Sequence, residues 1–186
     1  MSSDRAQASV NLAAIERNCT TLRSHLGEGV SLCAVVKADG YGHGAVASAR
    51  AALAGGARWL AVVSSAEVRE LRDAGLREPP VLVMGALTAA ELSEALAARA
   101  DVVVWRERHV HEVAAAGGGR VHVKFDSGMG RLGTRDAEEA ARTAELASRT
   151  AGVELVVFAV KADAALPTAS LGTTSSAKRR IRSGVK

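Results

Sequence analysis

Short apolar runs alternate along the chain with longer segments in which apolar residues recur every three or four positions. Residues 8–26 show the first helical pattern, with Asn11 placed to cap it and apolar residues at roughly helical spacing, namely Leu12, Ile15, Leu22 and Leu26. Six segments rich in apolar residues then predict strands at residues 32–36, 59–63, 81–84, 102–105, 121–125 and 153–158. Between them lie a Gly-rich turn after residue 37 and five predicted helices, near residues 44–54, 65–74, 88–98, 106–116 and 136–149.

This alternation of uninterrupted apolar strands with amphipathic helices predicts an α/β fold in which parallel strands are covered on both faces. Each unit of strand and helix takes about 20 to 30 residues, which is enough for a parallel crossover connection. A doubly wound open sheet and a closed barrel both satisfy the pattern, and the spacing alone does not separate them. In either architecture functional groups gather at the carboxyl ends of the strands. Three positions are therefore candidates for chemistry: Lys37 after the first strand, Met84 and Gly85 at the end of the third, and the segment after Phe125.

The composition narrows the classes of function. Aromatic residues make up 3% of the chain and hydrophobic residues 48%, so the core must be built mainly from Ala, Val and Leu, which disfavours a surface that stacks nucleic-acid bases. Residues 164–186 contain five basic residues and no acidic one; the chain's net charge is +4, so the rest has a net charge of −1. A basic tail alone is weak support for a nucleic-acid partner.

Two cysteines make no disulfide framework in a chain of this size, which favours a reducing compartment. No apolar run approaches the ~20 residues that cross a bilayer, and the N-terminus begins with polar residues. We therefore expect a cytoplasmic protein with no membrane partner.

The strongest local feature is the segment AVVKADGYGHG, residues 34–44, in which Lys37 ends the first strand. At the end of a buried strand, partial burial would disfavour the charged ammonium, and a neutral amine is what reacts with an aldehyde cofactor. Tyr41 follows in the turn, where its hydroxyl could donate a hydrogen bond to a phosphate, and the glycines would let the backbone approach a ligand. Alternatively, Lys37 only extends its charge into solvent and the glycines only form a turn.

A second segment, VHVKFDSGMGRLG at residues 121–133, contains the fifth predicted strand and the residues that follow it. The two segments resemble, in the same order, the two motifs of the alanine racemases, and the resemblance covers about residues 8–158. It implies that Lys37 holds pyridoxal 5'-phosphate covalently and is a catalytic residue. It also implies that Tyr41 contacts the phosphate of that cofactor.

The resemblance assigns roles within the second segment as well. Lys124 stands at the position that becomes carbamylated in many family members. Arg131 is implied to be a catalytic residue that lies, with Met129, near the substrate carboxylate, where a guanidinium can donate two parallel hydrogen bonds. From the residues alone, Lys124 could instead pair with Asp126, and Arg131 could be a solvated loop residue.

The resemblance also selects the closed barrel and implies the interconversion of L-alanine and D-alanine, which supplies D-alanine for the peptidoglycan of the cell wall. Racemisation removes a proton on one face of the substrate and returns one on the other, so it needs two bases. Lys37 would serve one face. In the family the other base is a tyrosine in the C-terminal domain of the partner subunit, so a homodimer is implied.

Residues 1–163 are expected to form an incomplete (β/α) TIM-type barrel, with five or six of the eight βα units. Residues 164–186 are expected to form a disordered basic tail. The family has a His-containing segment after strand six, whereas this chain has FAVKAD at residues 158–163. The departure begins near Val156, as a frameshift or premature stop would produce, so we expect the 186-residue chain to have little racemase activity.

Other interpretations stay open at this point. The chain could be another pyridoxal phosphate barrel, such as a decarboxylase or a different racemase, or a single-domain carrier of the cofactor. It could also be a non-catalytic remnant that binds the cofactor, or it could bind nucleic acid through its KRRIR tail. His109 and His111 lie two positions apart, so on a helix they would not share a face, and we predict an exposed polar helix and no metal site.

Overall fold

The computed structural model describes residues 8–160 of the 186-residue chain, and the side chains of residues 8–156. The chain divides into two compact units, Met1–Val102 and Val103–Lys186, and each is described by itself. The predicted tail at residues 164–186 lies outside the described residues. None of the helices described is long and apolar enough to cross a membrane.

The first unit is a parallel sheet with its connecting helices. In chain order its elements are α1 (Leu12–Ser24), β1 (Cys33–Val35), α2 (Lys37–Gly42), α3 (Ala45–Ala54), β2 (Trp59–Val62), α4 (Ser65–Asp73), β3 (Val81–Val83), α5 (Ala89–Ala97) and the start of β4 (Asp101–Val104). The strands pair in the order β1-β2-β3-β4, each parallel to the next. Parallel pairing in sequence order brings the carboxyl ends of these strands to one edge, and that edge carries Lys37.

Helix starts in this unit are set by local polar residues. Asn11 caps α1 and accepts a hydrogen bond from the Ala14 N–H at 3.1 Å, as predicted. Helices α4 and α5 each begin with a capping box, in which Ser64 or Thr88 and a glutamate three residues later satisfy each other's backbone N–H groups. These caps explain why each helix begins directly after a short loop.

The core of the first unit is built from aliphatic side chains, as the composition predicts. Its largest fully buried members are Leu60, Val62, Val68, Leu71, Val81, Val83 and Val102. Helix α1 has no buried residue, but it packs closely on the end of α3: a Cβ atom at Gly55 would lie 2.3 Å from the carbonyl oxygen of Glu16.

Arg72, near the end of α4, connects its own helix to two other backbone segments of the first unit. Its guanidinium donates hydrogen bonds to four carbonyl oxygens, those of Leu76, Pro79, Ala98 and Arg99, at 2.7 to 3.1 Å. Two of these carbonyls lie in the loop between α4 and β3, and two lie at the end of α5. Because a helix leaves its last carbonyls without intrahelical partners, Arg72 acts as the cap for α5.

The second unit contains the end of β4, α6 (Glu107–Ala115), β5 (Gly119–Phe125), α7 (Ala137–Arg149) and β6 (Val153–Val160). Strands β5 and β6 are parallel, with a register shift between Val121 and His122. Just before β5, Gly118 has a φ of +83° and lies against Gly152, at the start of β6. This close approach brings the amino ends of the two strands together.

Each unit contains one of the chain's two tryptophans. Trp59 is the first residue of β2. Trp105 follows β4 and packs edge-on against the His109 ring, with the centroids 4.4 Å apart. His109 is half-buried, which differs from the predicted exposed helix, and burial lowers the pKa of its imidazole. His111 is exposed as predicted.

Among the described residues no cluster of His, Cys, Asp and Glu is suited to a metal ion.

The predicted strands and helices are confirmed to within a few residues. The segment after Lys37 differs, because it is a helical turn of left-handed sense and not the open Gly-rich turn that its composition suggests.

Candidate active site

Lys37 comes directly after β1 and Val36, and its side chain is half-buried. Its Nζ atom lies 5.6 Å from the centroid of the Tyr41 ring, close enough for a cation–π contact. Tyr41 itself is 59% exposed, so solvent and ligands can reach its ring. The structure thus brings together the two side chains that the first motif singles out.

Residues 38–41 form what we call the left-handed turn. Ala38, Asp39, Gly40 and Tyr41 have φ values between 51° and 61°, with ψ values between 35° and 54°. This conformation suits glycine, but it costs other L-residues about 1–2 kcal/mol each, and three of the four are not glycine. Such strain persists only where the surroundings hold it, and it clusters at functional sites.

Contacts at its far end hold the left-handed turn. The carbonyl oxygen of Asp39 accepts a hydrogen bond from the Gly44 N–H at 2.9 Å, and its carboxylate accepts one from the Ala45 N–H at 2.8 Å. Asp39 therefore caps α3, whose own N-cap residue, Gly44, has no side chain to do so. Gly40 is buried, and a Cβ there would lie 3.1 Å from Ser48 Oγ and 3.3 Å from the Ala45 nitrogen, so a larger residue would press on α3.

The chemistry of this first group suits a phosphorylated aldehyde. A half-buried primary amine can form a covalent bond with an aldehyde, and an exposed phenol can donate a hydrogen bond to a phosphate. The backbone around Gly42 is open, since a Cβ atom there would meet nothing within 4 Å. A ligand could therefore approach the turn without displacing protein atoms.

The second group of candidate residues lies on β5 and the loop after it. Lys124 is half-buried near the end of the strand. Burial lowers the pKa of its amine, the charge of Arg131 lowers it further, and the charge of Asp126 acts in the opposite direction. The neutral form of this amine is consequently easier to reach than that of an ordinary lysine.

Asp126 organises the loop that carries Arg131. Its carboxylate, only 6% exposed, accepts hydrogen bonds from the N–H groups of Gly128 and Gly130 and pairs with Arg135 at 3.2 Å. Burial alone would raise the pKa of this carboxyl, but the Gly128 N–H, the Arg135 guanidinium and further backbone N–H groups outweigh burial and lower it. The Asp126 carboxylate is therefore occupied in shaping the loop.

Arg131 and Met129 stand on the exposed part of this loop. The Nη2 atom of Arg131 lies 3.1 Å from Met129 Sδ, and Met129 is 49% exposed. A guanidinium in this position keeps its planar donors available to a carboxylate. The structure brings Lys124, Met129 and Arg131 together within one strand and the loop that follows it.

Sequence reasoning missed Glu67. Its carboxylate reaches the backbone of Ala38, although the two residues are 29 positions apart. The available signal was the capping-box pattern that begins at Ser64, which identifies the helix start but not the contact across to the turn.

The sequence matches the family described as "Alanine racemase, N-terminal domain" over residues 10–173. Among curated relatives, the alanine racemase of Desulforamulus reducens is 42% identical over 137 residues, which is 71% of this chain and 37% of that protein. The alanine racemase of Geobacillus stearothermophilus is 42% identical over 146 residues, 76% of this chain and 37% of that protein.

Solved structures give the same result. The alanine racemase from E. faecalis superposes with a TM-score of 0.72 at 34% sequence identity, covering 78% of this chain and 41% of that one. The alanine racemase from Bacillus anthracis with bound L-Ala-P superposes with a TM-score of 0.70 at 32% identity, covering 78% of this chain and 39% of that one. The chain therefore spans about two fifths of the length of the relatives it matches.

Proposed function

Because this chain belongs to the alanine racemase family, we propose that it acts in the pyridoxal phosphate-dependent interconversion of L-alanine and D-alanine. The same matches establish its fold as part of the α/β barrel of that family. We propose pyridoxal 5'-phosphate as its cofactor, alanine as its substrate, and a second copy of the chain as its partner in a homodimer.

One observation carries this proposal. The amine of Lys37 is half-buried at the carboxyl end of β1, with an exposed tyrosine ring 5.6 Å away on a strained turn. The carboxyl ends of strands are where barrels of this kind place their catalytic groups. Strained backbone conformations cluster at functional sites, and this one directly follows the Lys37 amine.

The residues divide the chemistry among them. Pyridoxal phosphate, when bound, draws electrons from the substrate and makes its Cα proton acidic. Lys37 would hold the cofactor covalently through Nζ, and when released it would accept or return the Cα proton on one face. Tyr41 would donate its hydroxyl hydrogen to the phosphate, and Arg131, beside Met129, would bind the substrate carboxylate through its guanidinium.

The purified chain is expected to take up pyridoxal phosphate at Lys37. Uptake should give a new absorbance band near the visible edge, because the cofactor becomes conjugated with the lysine nitrogen. Borohydride reduction and peptide mapping should then place the pyridoxyl group on Lys37, and Lys37→Ala should abolish both the band and the label. Exchange of the Cα proton of D-alanine with solvent deuterium measures the chemical step.

Lys124→Arg is the control, because Lys124 is also a half-buried lysine near the end of a strand. This variant should retain the absorbance band and the label. A label on another lysine, or an unchanged band in Lys37→Ala, would contradict the proposal. Uptake at Lys37 without Cα exchange would instead favour a cofactor carrier or a non-catalytic binder.

Lys124 is expected to bind carbon dioxide as a carbamate. The neutral amine adds to carbon dioxide and releases one proton, so the modification needs the form of Lys124 that burial and Arg131 favour. At a fixed pressure of carbon dioxide the carbamate should increase as pH rises. The amount of carbamate should reach half of its maximum at a lower pH than it would on an ordinary lysine, because the pKa of Lys124 is lowered.

Carbon-13 NMR of protein under labelled carbon dioxide measures this modification directly. Lys124→Arg should remove the signal, and Lys37→Ala should retain it. A signal that persists in Lys124→Arg, or one that falls as pH rises, would refute the assignment to Lys124.

A further inference from the structure

Glu67, which lies outside both motifs, contacts the backbone next to the candidate cofactor lysine. Its Oε1 atom accepts a hydrogen bond from the N–H of Ala38 at 2.7 Å. Its Oε2 atom accepts hydrogen bonds from the N–H groups of Val63 at 2.8 Å and Ser64 at 3.2 Å. One carboxylate therefore joins the start of α4 to the residue that follows Lys37.

The position of this carboxylate is well defined. Glu67 is half-buried in the first turn of α4, and its own N–H donates to Ser64 Oγ at 3.3 Å. With Oε2 fixed by two N–H groups, Oε1 can point only in a narrow range of directions. Hydrogen bonds to a charged acceptor are also stronger than those between neutral groups.

The left-handed turn needs such an acceptor at its first residue. Its backbone hydrogen bonds include those from the Gly40 N–H to the Val36 oxygen at 3.0 Å and from the Gly44 N–H to the Asp39 oxygen at 2.9 Å. The Ala38 N–H bonds to Glu67 instead. The turn is thus held by Asp39 at its end and by Glu67 at its start, and Lys37 immediately precedes it.

We propose that Glu67 is a positioning residue for the cofactor lysine. By fixing the Ala38 N–H it holds the left-handed turn, and so keeps the Lys37 amine and the Tyr41 ring in the arrangement that takes the cofactor. Glu67 touches neither substrate nor cofactor and acts only through the backbone. This inference rests on the proposed function and adds a residue that neither motif contains.

The chain offers a matched control in Glu91. Like Glu67, it is a half-buried glutamate in a capping box, and its carboxylate accepts hydrogen bonds from the N–H and hydroxyl of Thr88, both at 2.8 Å. Its recorded partners all belong to the start of α5. Substitutions at Glu91 therefore remove a helix cap of the same kind without affecting the left-handed turn.

The test compares Glu67→Ala and Glu67→Asp with Glu91→Ala and Glu91→Asp. Aspartate is one methylene shorter; it keeps a charge at the helix start but cannot reach both Ala38 and Ser64. Two quantities are measured for each variant, under conditions in which all of the variants are folded. The first is the dissociation constant for pyridoxal phosphate, taken from the absorbance band. The second is the rate of hydrogen exchange of the Ala38 amide in the absence of cofactor. Both Glu67 variants should weaken cofactor binding by about tenfold or more, which corresponds to the loss of one hydrogen bond to a charged group.

Both Glu67 variants should also speed the exchange of the Ala38 amide, whereas the Glu91 variants should leave both quantities nearly unchanged. Equal weakening of cofactor binding in the two pairs, or unchanged exchange at Ala38 in Glu67→Ala, would overturn the inference while the proposed function stands. Absence of cofactor uptake by the unsubstituted chain would overturn both.

Discussion

Arg72→Ala is expected to lower the free energy of unfolding of the first unit by about 3 kcal/mol, among the larger effects of a single substitution. The guanidinium donates hydrogen bonds to four carbonyl oxygens in two separate segments, and alanine removes all four of these bonds. Water can reach some of them because the side chain is only half-buried, which keeps the loss below the sum of four buried hydrogen bonds. Urea unfolding followed by circular dichroism measures the change.

Two further variants separate the possible causes. Arg72→Lys keeps the charge, but an ammonium has one nitrogen and cannot donate to carbonyls in both segments as the planar guanidinium does. The lysine variant should therefore recover less than half of the lost stability. Arg69→Ala, on the same helix, removes an exposed ion pair with Glu94 at 2.8 Å and should cost less than about 1 kcal/mol. If Arg72→Ala proves as mild as Arg69→Ala, the carbonyl contacts do not stabilise the unit.

Gly118→Ala is expected to destabilise the second unit by about 4 kcal/mol, because two separate penalties coincide. Residue 118 has a φ of +83°, which strains an L-residue, and its new Cβ would lie 2.2 Å from the carbonyl oxygen of Gly152. That oxygen also accepts a hydrogen bond from the Gly119 N–H at 2.8 Å, so it cannot move without disturbing the start of the β5–β6 pair. Chemical unfolding of the variant gives the value.

Gly117→Ala serves as the matched control for the contact. Gly117 also has a positive φ, +104°, but a Cβ there would meet nothing within 4 Å. It should cost only about 1–2 kcal/mol, the strain alone. Equal losses at the two positions would show that the contact with Gly152 contributes nothing.

The sequence was sufficient for the sheet and its helices because each element is signalled by its own residues. Short runs made mainly of Val, Leu and Ala mark β2 to β4, and Asn11, Ser64 and Thr88 mark three helix starts. The observed boundaries of these elements differ from the predicted ones by only a few residues. Local propensity and burial point in the same direction in these elements, which is the condition under which a sequence pattern predicts structure well.

The left-handed turn could not be predicted in this way. The propensities of Ala38 and Tyr41 disfavour a positive φ. The Ala38 N–H also bonds to Glu67, which is distant in sequence. Nor did the capping-box pattern reveal that contact, because Glu91 has the same local pattern and serves only its own helix. Likewise, the sequence placed Asp126 beside Lys124 but did not show that backbone N–H groups occupy its carboxylate.

The division of the two tryptophans between the compact units gives each unit its own fluorophore. Trp59 belongs to the first unit and Trp105 to the second, and the chain contains no other indole. Replacing either one with phenylalanine leaves a single emitter whose spectrum reports one unit. Fluorescence melting curves of two such variants can therefore reveal whether the halves of the chain denature together or in sequence.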